Sequence, residues 1–487
     1  MIATDPRFAR SYRPSELLEN PQRAAEFVRD YVDHEADYFQ AARDPDSGLT
    51  YDGFDLDPKS GELTDVRFWS APSKECLDMG VLIKALNGNE LATRLVSPEQ
   101  AARILAQKLN SYEAFQRQQP GYGGFLPWFY GGPGLHPTPD WQGDAPGLDN
   151  GEWVWTMLVA EKALKDSGHT ELAQRYAAYN QRLQENVVKM FFDPEASKVR
   201  GDVRIADPWS ADTTYHTNHG VPGRADYLSG EHGVHEGMML VLYLTLFGQG
   251  LPEGAAERIW DGIAMKRVEH PAGTTWEGFW ASAHESWAYL FLPLRDIDGY
   301  RQLFRVREQI RTQNADQRDY PGFATSANEP GRDGYIDGAG IENIASQPIR
   351  NNHTYAIYGA FPLLLEFAGK SGPNPGLVWL HNMLLGPQMQ GPAGGGEAGT
   401  NDGRLASHVK TVDGTFPNLL ALMGGIERET AEMLREKGLY ERFRAVMQAE
   451  FDETFAAAPL RESGSYALPD VSIPQELPPY ESWNLTP

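Results

Sequence analysis

Cysteine and long apolar runs are the scarcest features of this sequence. Cys76 is the single cysteine among 487 residues, so a disulfide within the chain is excluded. Residues 1–8 contain no apolar run of the kind that a signal peptide needs. The longest apolar stretch, Met238 to Phe247, is far shorter than the roughly 20 residues of a membrane span. We therefore expect a cytoplasmic protein that does not enter a membrane, or a periplasmic or secreted one if a leader has been removed.

Positive charge is also scarce. Lys and Arg total 43 against 67 Asp and Glu, which gives a formal net charge of −24. Nucleic acids and anionic membranes attract positive surfaces, so both are excluded as expected partners. A neutral glucan polysaccharide or oligosaccharide is not repelled and is the partner that we expect. The composition does not determine the oligomeric state.

Several motifs of other enzyme classes are absent. There is no Gly-x-Ser-x-Gly elbow, and Cys76 lies in an apolar helical pattern, so nucleophilic serine or cysteine chemistry is not supported. The glycine-rich segment 387–403 is not followed by Gly-Lys-Ser/Thr, which excludes a phosphate loop. The spacing of the histidines is not that of a zinc site; these are His216, His219, His232, His235 and His284. We expect neither a metal nor a cofactor.

Helical periodicity dominates what is present. The predicted helices span about 21–42, 74–87, 98–116, 150–166, 171–192, 232–247, 252–267, 276–292, 299–312, 353–368, 376–385, 415–437 and 439–454. Residues 153–160 and 238–247 are apolar on every side and must be buried, whereas 171–188 is amphipathic. Buried helices inside amphipathic ones predict an all-α (α/α)6 toroid over residues 1–458, with long loops forming a cleft at one end. A Pro-rich tail, 459–487, is expected along the surface.

Hydrolysis of a glycosidic bond usually takes two carboxyl groups, and Glu236 is the first candidate. It opens the apolar helix that ends at Phe247, where partial desolvation would raise its pKa and suit a general acid. The partial positive charge of a helix N-terminus opposes that rise. An electrostatic role at the helix start is therefore the alternative.

A second pair of acids starts another apolar helix. Asp149 and Glu152 are three residues apart, which places them on one face of the first turn. They fit a substrate site, and they equally fit an N-cap with a capping box.

Two further segments carry acids. Glu329 and Asp333 lie among turn-forming residues, for which a solvated turn is the alternative. The segment from Trp276 to Trp287 places Glu285 among aromatic side chains on an expected buried helix. Its aromatic residues fit either the core or the wall of a sugar cleft.

The order of these motifs resembles the glucoamylase-like domain of bacterial endo-β-1,2-glucanases, glycoside hydrolase family 144 and its relatives. The motifs are Gly124-Phe-Leu-Pro-Trp-Phe, Leu148-Asp-Asn-Gly, His235-Glu, Trp276-Glu-Gly-Phe-Trp-Ala-Ser-Ala-His-Glu, Gly322-Phe-Ala-Thr-Ser-Ala-Asn-Glu-Pro and Val412-Asp-Gly-Thr-Phe-Pro-Asn. The similarity spans roughly residues 48–450.

The resemblance implies an (α/α)6 hydrolase that cuts β-1,2-glucan, typically with inversion. It implies Glu236 as general acid and places Asp149 and Glu152 in the sugar cleft. The other substrate-binding residues that we expect are Trp128, His235, Trp276, Glu285 and Trp287.

One position departs from the family pattern. The family loop usually carries an Asp, a candidate base, where this chain has Asn328. Either Glu329 or Asp333 then takes the role of the base, or the mechanism differs. Three alternatives stay open: a glucan transferase or exo-acting hydrolase on another linkage, a non-catalytic glucan-binding protein, and an epimerase or lyase, which the net charge disfavours.

Overall fold

A computed structural model describes residues 7–228, 236–263, 265–332 and 334–481, with the backbone alone for Glu236. These ranges contain 17 α-helices. They are α1 Pro14–Glu19, α2 Pro21–His34, α3 Ala36–Ala41, α4 Pro72–Leu86, α5 Glu90–Leu95, α6 Pro98–Gln118, α7 Gly147–Asp166, α8 Thr170–Phe191, α9 Glu236–Phe247, α10 Ala255–Asp261, α11 Ala288–Phe291, α12 Asp298–Gln317, α13 Phe361–Phe367, α14 Pro375–Leu384, α15 Val412–Leu422, α16 Glu427–Glu436 and α17 Tyr440–Phe455.

The strands of the same ranges are short. They are β1 Gly53–Leu56, β2 Leu63–Arg67, β3 Trp69–Ser70, β4 Phe129–Tyr130, β5 His136–Pro137, β6 Asp144–Pro146, β7 Phe192–Asp193, β8 Lys198–Val199, β9 Asp202–Ile205, β10 Tyr215–Thr217, β11 Arg267–His270, β12 Gly273–Trp276, β13 Ala327–Asn328, β14 Tyr335–Ile336, β15 Thr354–Ala356, β16 Gln390–Gly391, β17 Gly394–Gly395, β18 Ala398–Thr400 and β19 Val409–Thr411. They form antiparallel sheets of two or three strands.

Six helices form an inner ring. α4 contacts α7, α7 contacts α9, α9 contacts α11, and α13 contacts α15, which returns to α4. The short 3₁₀ helix Ala283–Ser286 before α11 contacts α13 and closes the ring. Outside this ring lie α6, α8, α12, α14 and α17, each of which contacts an inner helix or another helix of this outer set, and α2, which contacts α1, α3 and α5. This is the two-ring arrangement predicted from the sequence.

The helices α7 and α9 show why the inner ring is buried. Both are apolar on all sides, and neither can face water without exposing large side chains. Gly151 of α7 lets α9 approach closely, because a Cβ there would lie 2.7 Å from the backbone nitrogen of Leu240. The indole N–H of Trp155 donates to the Met239 carbonyl oxygen at 2.9 Å. The two helices are thereby fixed side by side.

The inner helices begin at a common end of the ring. Ser73 at the start of α4 donates to Asp149 at the start of α7, and Lys74 contacts Asp413 at the start of α15. Each N-terminus carries a partial positive charge that favours acidic side chains. This end of the toroid is therefore suited to a cluster of carboxylates.

Three strand pairings place further residues at this end. Strand β1 pairs with β19 so that Gly53 faces Thr411, which sets Asp52 beside the start of α15. A Cβ on Gly53 would come within 1.9 Å of the Lys410 carbonyl oxygen, so only glycine fits. In the second pairing, strand β9 pairs with β6 and brings Asp202 opposite Pro146. The third pairing joins β3 and β4.

The predicted helix over 276–292 is wrong. Trp276 ends strand β12, and the first α-helical residue after it is Ala288. Between them Ala281 has a positive φ of 57°, which an α-helix does not allow. The Glu285 carboxylate accepts the N–H groups of Trp280 and Ala281, both at 2.7 Å. The segment is therefore a loop stabilised by a buried carboxylate.

Other predicted helices are shorter or divided. The helix expected over 21–42 breaks at Glu35, and the one over 415–437 breaks at Gly424 and Gly425, both of which have a positive φ. In the segment 252–267 the helix α10 ends at Asp261 and strand β11 begins at Arg267, and the segment 353–368 contains strand β15 in addition to a short helix. The predicted helices are longer than the observed ones because apolar residues continue to occur on both sides of these breaks.

Beyond α17 the described chain, up to residue 481, runs without a further α-helix. The Trp379 indole donates to the Ala467 carbonyl oxygen at 2.9 Å, and the Tyr480 ring packs on Gly61. Among the helices described here, none combines the length and the apolar character that crossing a membrane would require.

Candidate active site

Acidic side chains cluster around Lys74 at the common end of the inner helices. The Lys74 ammonium group contacts Asp413 and lies 3.4 Å from Asp52. Burial lowers the pKa of Lys74, but Asp413 and Asp52 outweigh this effect and raise it. Lys74 is therefore a permanent cation. The Asp413 side chain keeps 28% of its surface exposed, whereas Asp52 keeps 3%.

Asp149 and Glu152 lie beside this cluster on the first turns of α7. Asp149 accepts hydrogen bonds from Ser73 Oγ at 2.6 Å and from Trp128 Nε1 at 3.2 Å. Burial raises the pKa of Asp149, and these two hydrogen bonds oppose the rise. Glu152 is 1% exposed, and Cys76 Sγ lies 3.4 Å from its Oε2. Asp149 thus faces the cleft, and Glu152 lies deeper in the protein.

Three tryptophans form one wall of the cleft. Trp69 stacks on Trp128 and Trp128 stacks on Trp141, each with ring centroids 5.3 Å apart. Lys74 covers the outer face of Trp69, and the Arg224 guanidinium lies 3.3 Å from the Trp141 centroid. Both faces of Trp128 are covered, so it presents its edge and its N–H. Trp128 therefore orients Asp149 through its N–H, and its predicted role in substrate binding stays a prediction.

A cavity of about 440 Å³ opens next to this wall. Its lining consists of Trp128, Trp141, Pro146, Leu148, Asp149, Gly201, Asp202, Gly223, Arg224, Ala225, Phe279, Trp280 and His284. Phe279 and Trp280 are half-buried, with ring centroids 4.5 Å apart. An apolar aromatic surface facing several polar side chains is suited to a sugar, which has apolar faces and hydroxyl edges.

Asp202 is an acid of the cavity whose pKa is strongly raised. It is 5% exposed, and burial raises its pKa to about 7. The Ala225 N–H, at 2.6 Å from Oδ2, and Arg224 oppose this rise, and Asp149 and Asp144 add to it. Arg224 does not neutralise Asp202, since its guanidinium stacks on a tryptophan. Asp202 is thus a carboxyl group that can carry a proton near neutral pH.

Three predicted site residues are described in part or not at all. Glu236 begins α9, so its backbone lies at the acidic end of the ring, but its side chain lies outside the described part of the chain. His235 and Asp333 also lie outside the described residues. Their predicted roles stay predictions.

The remaining predicted residues do not line the cavity. Glu329 is on an exposed turn, 3.4 Å from Arg332. Trp276 and Trp287 are buried, with 2% and 6% of their surface exposed. The Glu285 side chain is buried and forms an ion pair with Arg307 at 2.8 Å. Glu285 thus serves the loop that carries Trp280, and none of these four lines the cavity.

Asn328, the position that departs from the family pattern, contacts another acid. Its backbone N–H and its Nδ2 donate to Glu397 Oε1 at 2.9 and 2.5 Å. Glu397 is 3% exposed, and burial raises its pKa. The amide of Asn328 therefore holds a carboxyl group in the acidic end of the ring.

Four candidate site residues are not predicted from the sequence: Lys74, Asp202, Glu397 and Asp413. Asp413 stands in the motif Val412-Asp-Gly-Thr, which was recognised without a role for its acid. A polar residue at the start of an apolar helix was the available signal for Lys74. In the described ranges, no three His, Cys, Asp or Glu side chains are placed to hold a metal ion.

An (α/α)6 toroid with carboxyl groups gathered at the mouth of an aromatic cleft defines a glycoside hydrolase. The sequence model of the endo-β-1,2-glucanase family SGL, glycoside hydrolase family 162, matches residues 49–484. The chain therefore belongs to this endo-β-1,2-glucanase family. The resemblance seen in the motifs pointed to family 144 and its relatives, and the matching family is family 162.

Solved structures agree with this assignment. An endo-β-1,2-glucanase mutant from Talaromyces funiculosus, in complex with β-1,2-glucan, has a TM-score of 0.90 and 29% identity over 97% of this chain and 98% of that chain. The same enzyme with sophorose has a TM-score of 0.89 and 29% identity, covering 96% and 97%. The endo-β-1,2-glucanase from Chitinophaga pinensis has a TM-score of 0.59 and 14% identity over 90% and 99%, which shows the fold alone. A search of curated protein sequences finds no match.

The predicted toroid, the glycoside hydrolase class and the hydrolysis of β-1,2-glucan are thereby confirmed.

Proposed function

We propose that this protein cleaves β-1,2-glucan within the chain and with inversion, with Glu236 as general acid and Asp413 as general base. The observation that carries the proposal is the cluster of acids around Lys74 at the N-terminal ends of the inner helices. In an inverting hydrolase one carboxylic acid protonates the leaving oxygen, and a carboxylate activates water on the opposite side. The two groups need different environments, so that one is protonated and the other charged.

Asp413 has the properties of the base. Asp149 has both oxygens occupied by hydrogen bonds, and Asp52 and Glu397 are buried. The Asp413 side chain keeps 28% of its surface exposed and contacts the Lys74 ammonium group. Its Oδ1 is buried and accepts no hydrogen bond from any described residue. A carboxylate oxygen without a donor has a lone pair for the proton of the attacking water once that water reaches it.

Glu236 has the position of the acid. Its backbone begins α9, the most apolar helix of the inner ring, at the same end as Asp149 and Asp413. The sequence leads us to expect that an acid opening an apolar helix is partly desolvated, which would favour the protonated form that a general acid requires. This geometry, together with the resemblance of His235-Glu to the family motif, supports the assignment.

The cavity supplies the contacts to the glucan. The half-buried rings of Trp280 and Phe279 offer the apolar surface for a glucose ring. Asp149, Asp202 and His284 offer hydrogen-bonding atoms to its hydroxyl groups. Binding through both kinds of contact fixes the orientation of the sugar relative to the acids.

The test combines product analysis with matched variants. Wild-type protein is incubated with linear β-1,2-glucan and, in parallel, with β-1,3-, β-1,4- and α-1,4-glucans. We expect short oligosaccharides from β-1,2-glucan alone, with viscosity falling early relative to the release of reducing ends, as endo cleavage requires. Proton NMR of the fresh products should show the α-anomer, because inversion converts a β linkage to an α hemiacetal.

Glu236→Gln should abolish cleavage, because an amide cannot protonate the leaving oxygen. Glu329→Gln is the matched control, since Glu329 is the alternative base that lies on the exposed turn. It should retain wild-type rates. Loss of activity in Glu329→Gln with activity kept in Glu236→Gln would overturn the assignment, and a β-anomeric product would overturn inversion. Glucose or a single short product from the outset would indicate exo action.

A further inference from the structure

A chain of hydrogen bonds runs from the cavity into the protein and begins at His284. His284 Nδ1 lies 2.7 Å from Ser282 Oγ, and Ser282 Oγ lies 2.8 Å from Thr325 Oγ1. Thr325 Oγ1 lies 2.8 Å from the Tyr358 hydroxyl, which donates to the Ser326 carbonyl oxygen at 2.6 Å. His284 is half-buried and lines the cavity, whereas Ser282, Thr325 and Tyr358 are buried.

The last contact fixes the direction of every other one. A carbonyl oxygen only accepts, so the single proton of the Tyr358 hydroxyl lies on the bond to Ser326. The contact between Thr325 and Tyr358 then needs the proton of Thr325, and the contact between Ser282 and Thr325 needs that of Ser282. Ser282 has no proton left for His284. The bond between them must therefore carry a proton on His284 Nδ1.

The imidazole is neutral under this arrangement. Burial lowers the pKa of His284, and the neighbouring Glu285 opposes this effect only in part. A neutral imidazole with its proton on Nδ1 has a lone pair on Nε2. No described residue donates to Nε2, so this atom is available to a ligand in the cavity.

We propose that the hydroxyl chain holds His284 in its Nδ1–H form and presents Nε2 as a hydrogen-bond acceptor for a hydroxyl group of a glucose unit. The part concerning glucose rests on the proposed function, and the part concerning the tautomer does not. Nε2 selects a ligand with a donor at this point of the cavity. His284 thus acts as a substrate-binding residue whose form is set by residues that do not touch the cavity.

The tautomer is tested directly by ¹⁵N NMR. Protein labelled at histidine is recorded with and without sophorose, in the Glu236→Gln variant so that no turnover occurs. We expect a His284 spectrum with a protonated Nδ1 and an unprotonated Nε2, and a shift of the Nε2 resonance when sophorose binds. Spectra of His284→Ala assign the resonances. A proton on Nε2 in the free protein, or an Nε2 resonance unmoved by saturating sophorose, would overturn the proposal.

Tyr358, at the end of the hydrogen-bond chain that is far from His284, gives a second test. Tyr358→Phe removes the hydroxyl that orients Thr325, so Ser282 becomes free to donate to Nδ1, and the Nε2–H form should become populated. Tyr176→Phe is the matched control, because the buried Tyr176 hydroxyl also donates to a carbonyl oxygen, that of Leu105, but outside the chain. The control should keep the wild-type His284 spectrum. An unchanged tautomer in Tyr358→Phe would contradict the directional argument.

Steady-state kinetics distinguish a His284 that accepts a hydrogen bond from the substrate from a His284 that only packs in the cavity wall. His284→Ala should raise KM about tenfold with kcat little changed, as expected when one hydrogen bond to the substrate is lost. His284→Gln should restore most of the affinity, because its amide oxygen can reach the position of Nε2, whereas His284→Asn should not. Equal KM values for the Gln and Asn variants would reject the acceptor role. Wild-type protein inactive on β-1,2-glucan would instead refute the proposed function and leave the tautomer result standing.

Discussion

Helix α4 contributes side chains to two clusters of charged residues, which differ in charge balance and in hydrogen bonding. The packed cluster consists of Arg43, Glu75, Asp78 and Lys108, and it lies between α4 and α6. The cleft cluster consists of Asp52, Lys74, Asp149 and Asp413, and it lies at the start of α4. Lys74 and Glu75 are neighbours in sequence, yet they belong to different clusters because they point to different faces of the helix.

The packed cluster is electrically balanced and fully hydrogen-bonded. Lys108 lies 2.7 Å from Glu75 and 2.9 Å from Asp78, and Arg43 lies 2.6 Å from Asp78. The side chains of Lys108, Glu75 and Asp78 are completely buried. Although burial raises the pKa of Asp78, Arg43 and Lys108 outweigh this and lower it. Two anions meet two cations, and no ligand is needed to complete the set.

The cleft cluster is neither balanced nor complete. The cluster has three carboxyl groups and one ammonium group. Of these three carboxyl groups, Arg67 forms an ion pair only with that of Asp52, at 2.8 Å. Asp413 retains an oxygen that no described residue hydrogen-bonds. Unpaired polar atoms are costly to bury, so such a set is retained where it acts on a substrate. Charge balance thus separates the acids of the packed cluster from those that we propose to act on the substrate.

The largest effect should come from removing the proposed base. Asp413→Asn should lower kcat on β-1,2-glucan by about 10²–10⁴-fold, because an amide cannot take the proton of water. Its melting temperature should stay near the wild-type value, since the cluster has an excess of anions. Asp78→Asn is the matched change in the packed cluster. It should lower the melting temperature and leave the kcat of the folded fraction unchanged, and the reverse pattern would refute the comparison.

A second prediction concerns the packed cluster alone. Lys108→Met leaves Glu75 and Asp78 with one cation between them, and breaking a buried ion pair in this way costs about 3–5 kcal/mol of unfolding free energy. Urea unfolding followed by circular dichroism measures the loss. Lys165→Met removes a lysine whose side chain is 67% exposed and should change stability by less than about 0.5 kcal/mol. Equal losses in the two variants would mean that burial of the pair is not what matters.

The sequence predicted the architecture well where burial leaves a pattern. α7 and α9 are apolar on all sides, and this feature alone identified them as inner helices. The segment 276–292 has a similar density of apolar residues but folds as a loop, because Glu285 takes up the N–H groups that a helix would use. The Glu285 carboxylate accepts backbone hydrogen bonds that a helix would otherwise form, and the spacing of apolar residues does not predict such a contact.

A position at a helix start was not enough to identify the candidate site residues. Asp149 and Glu236 open apolar helices and were predicted on that ground; Asp149 lines the cavity, and the role of Glu236 stays a prediction. Lys74 and Asp413 also lie near helix starts. Lys74 and Asp413 were missed because their contact joins positions 339 residues apart, which one sequence cannot reveal. Asp202 was missed because its burial comes from the Gly223–Ala225 loop folding over a short strand. In each case the chemistry arises from tertiary contacts.

The third prediction extends the comparison to Asp202, an acid of the cleft that lacks a close cation. Its pKa of about 7 in the folded protein exceeds the ordinary value of about 4 in an unfolded chain. The folded state therefore binds more protons between these two values, so the stabilisation is complete below about pH 4 and is lost as the pH rises towards 7. This acid alone contributes a slope of about −1.4 kcal/mol per pH unit to the unfolding free energy.

Asp202→Asn should remove that slope, since an amide does not titrate, and the variant should gain stability relative to wild type as the pH rises from 4.5 to 7.5. Urea unfolding at four pH values in this range measures the difference. Asp212→Asn, at an exposed position, is the control and should keep the wild-type slope. If Asp202→Asn and wild type run parallel across this range, Asp202 is already ionised in the cleft. It would then belong with the charged acids around Lys74 and could not donate a proton to a sugar hydroxyl near neutral pH.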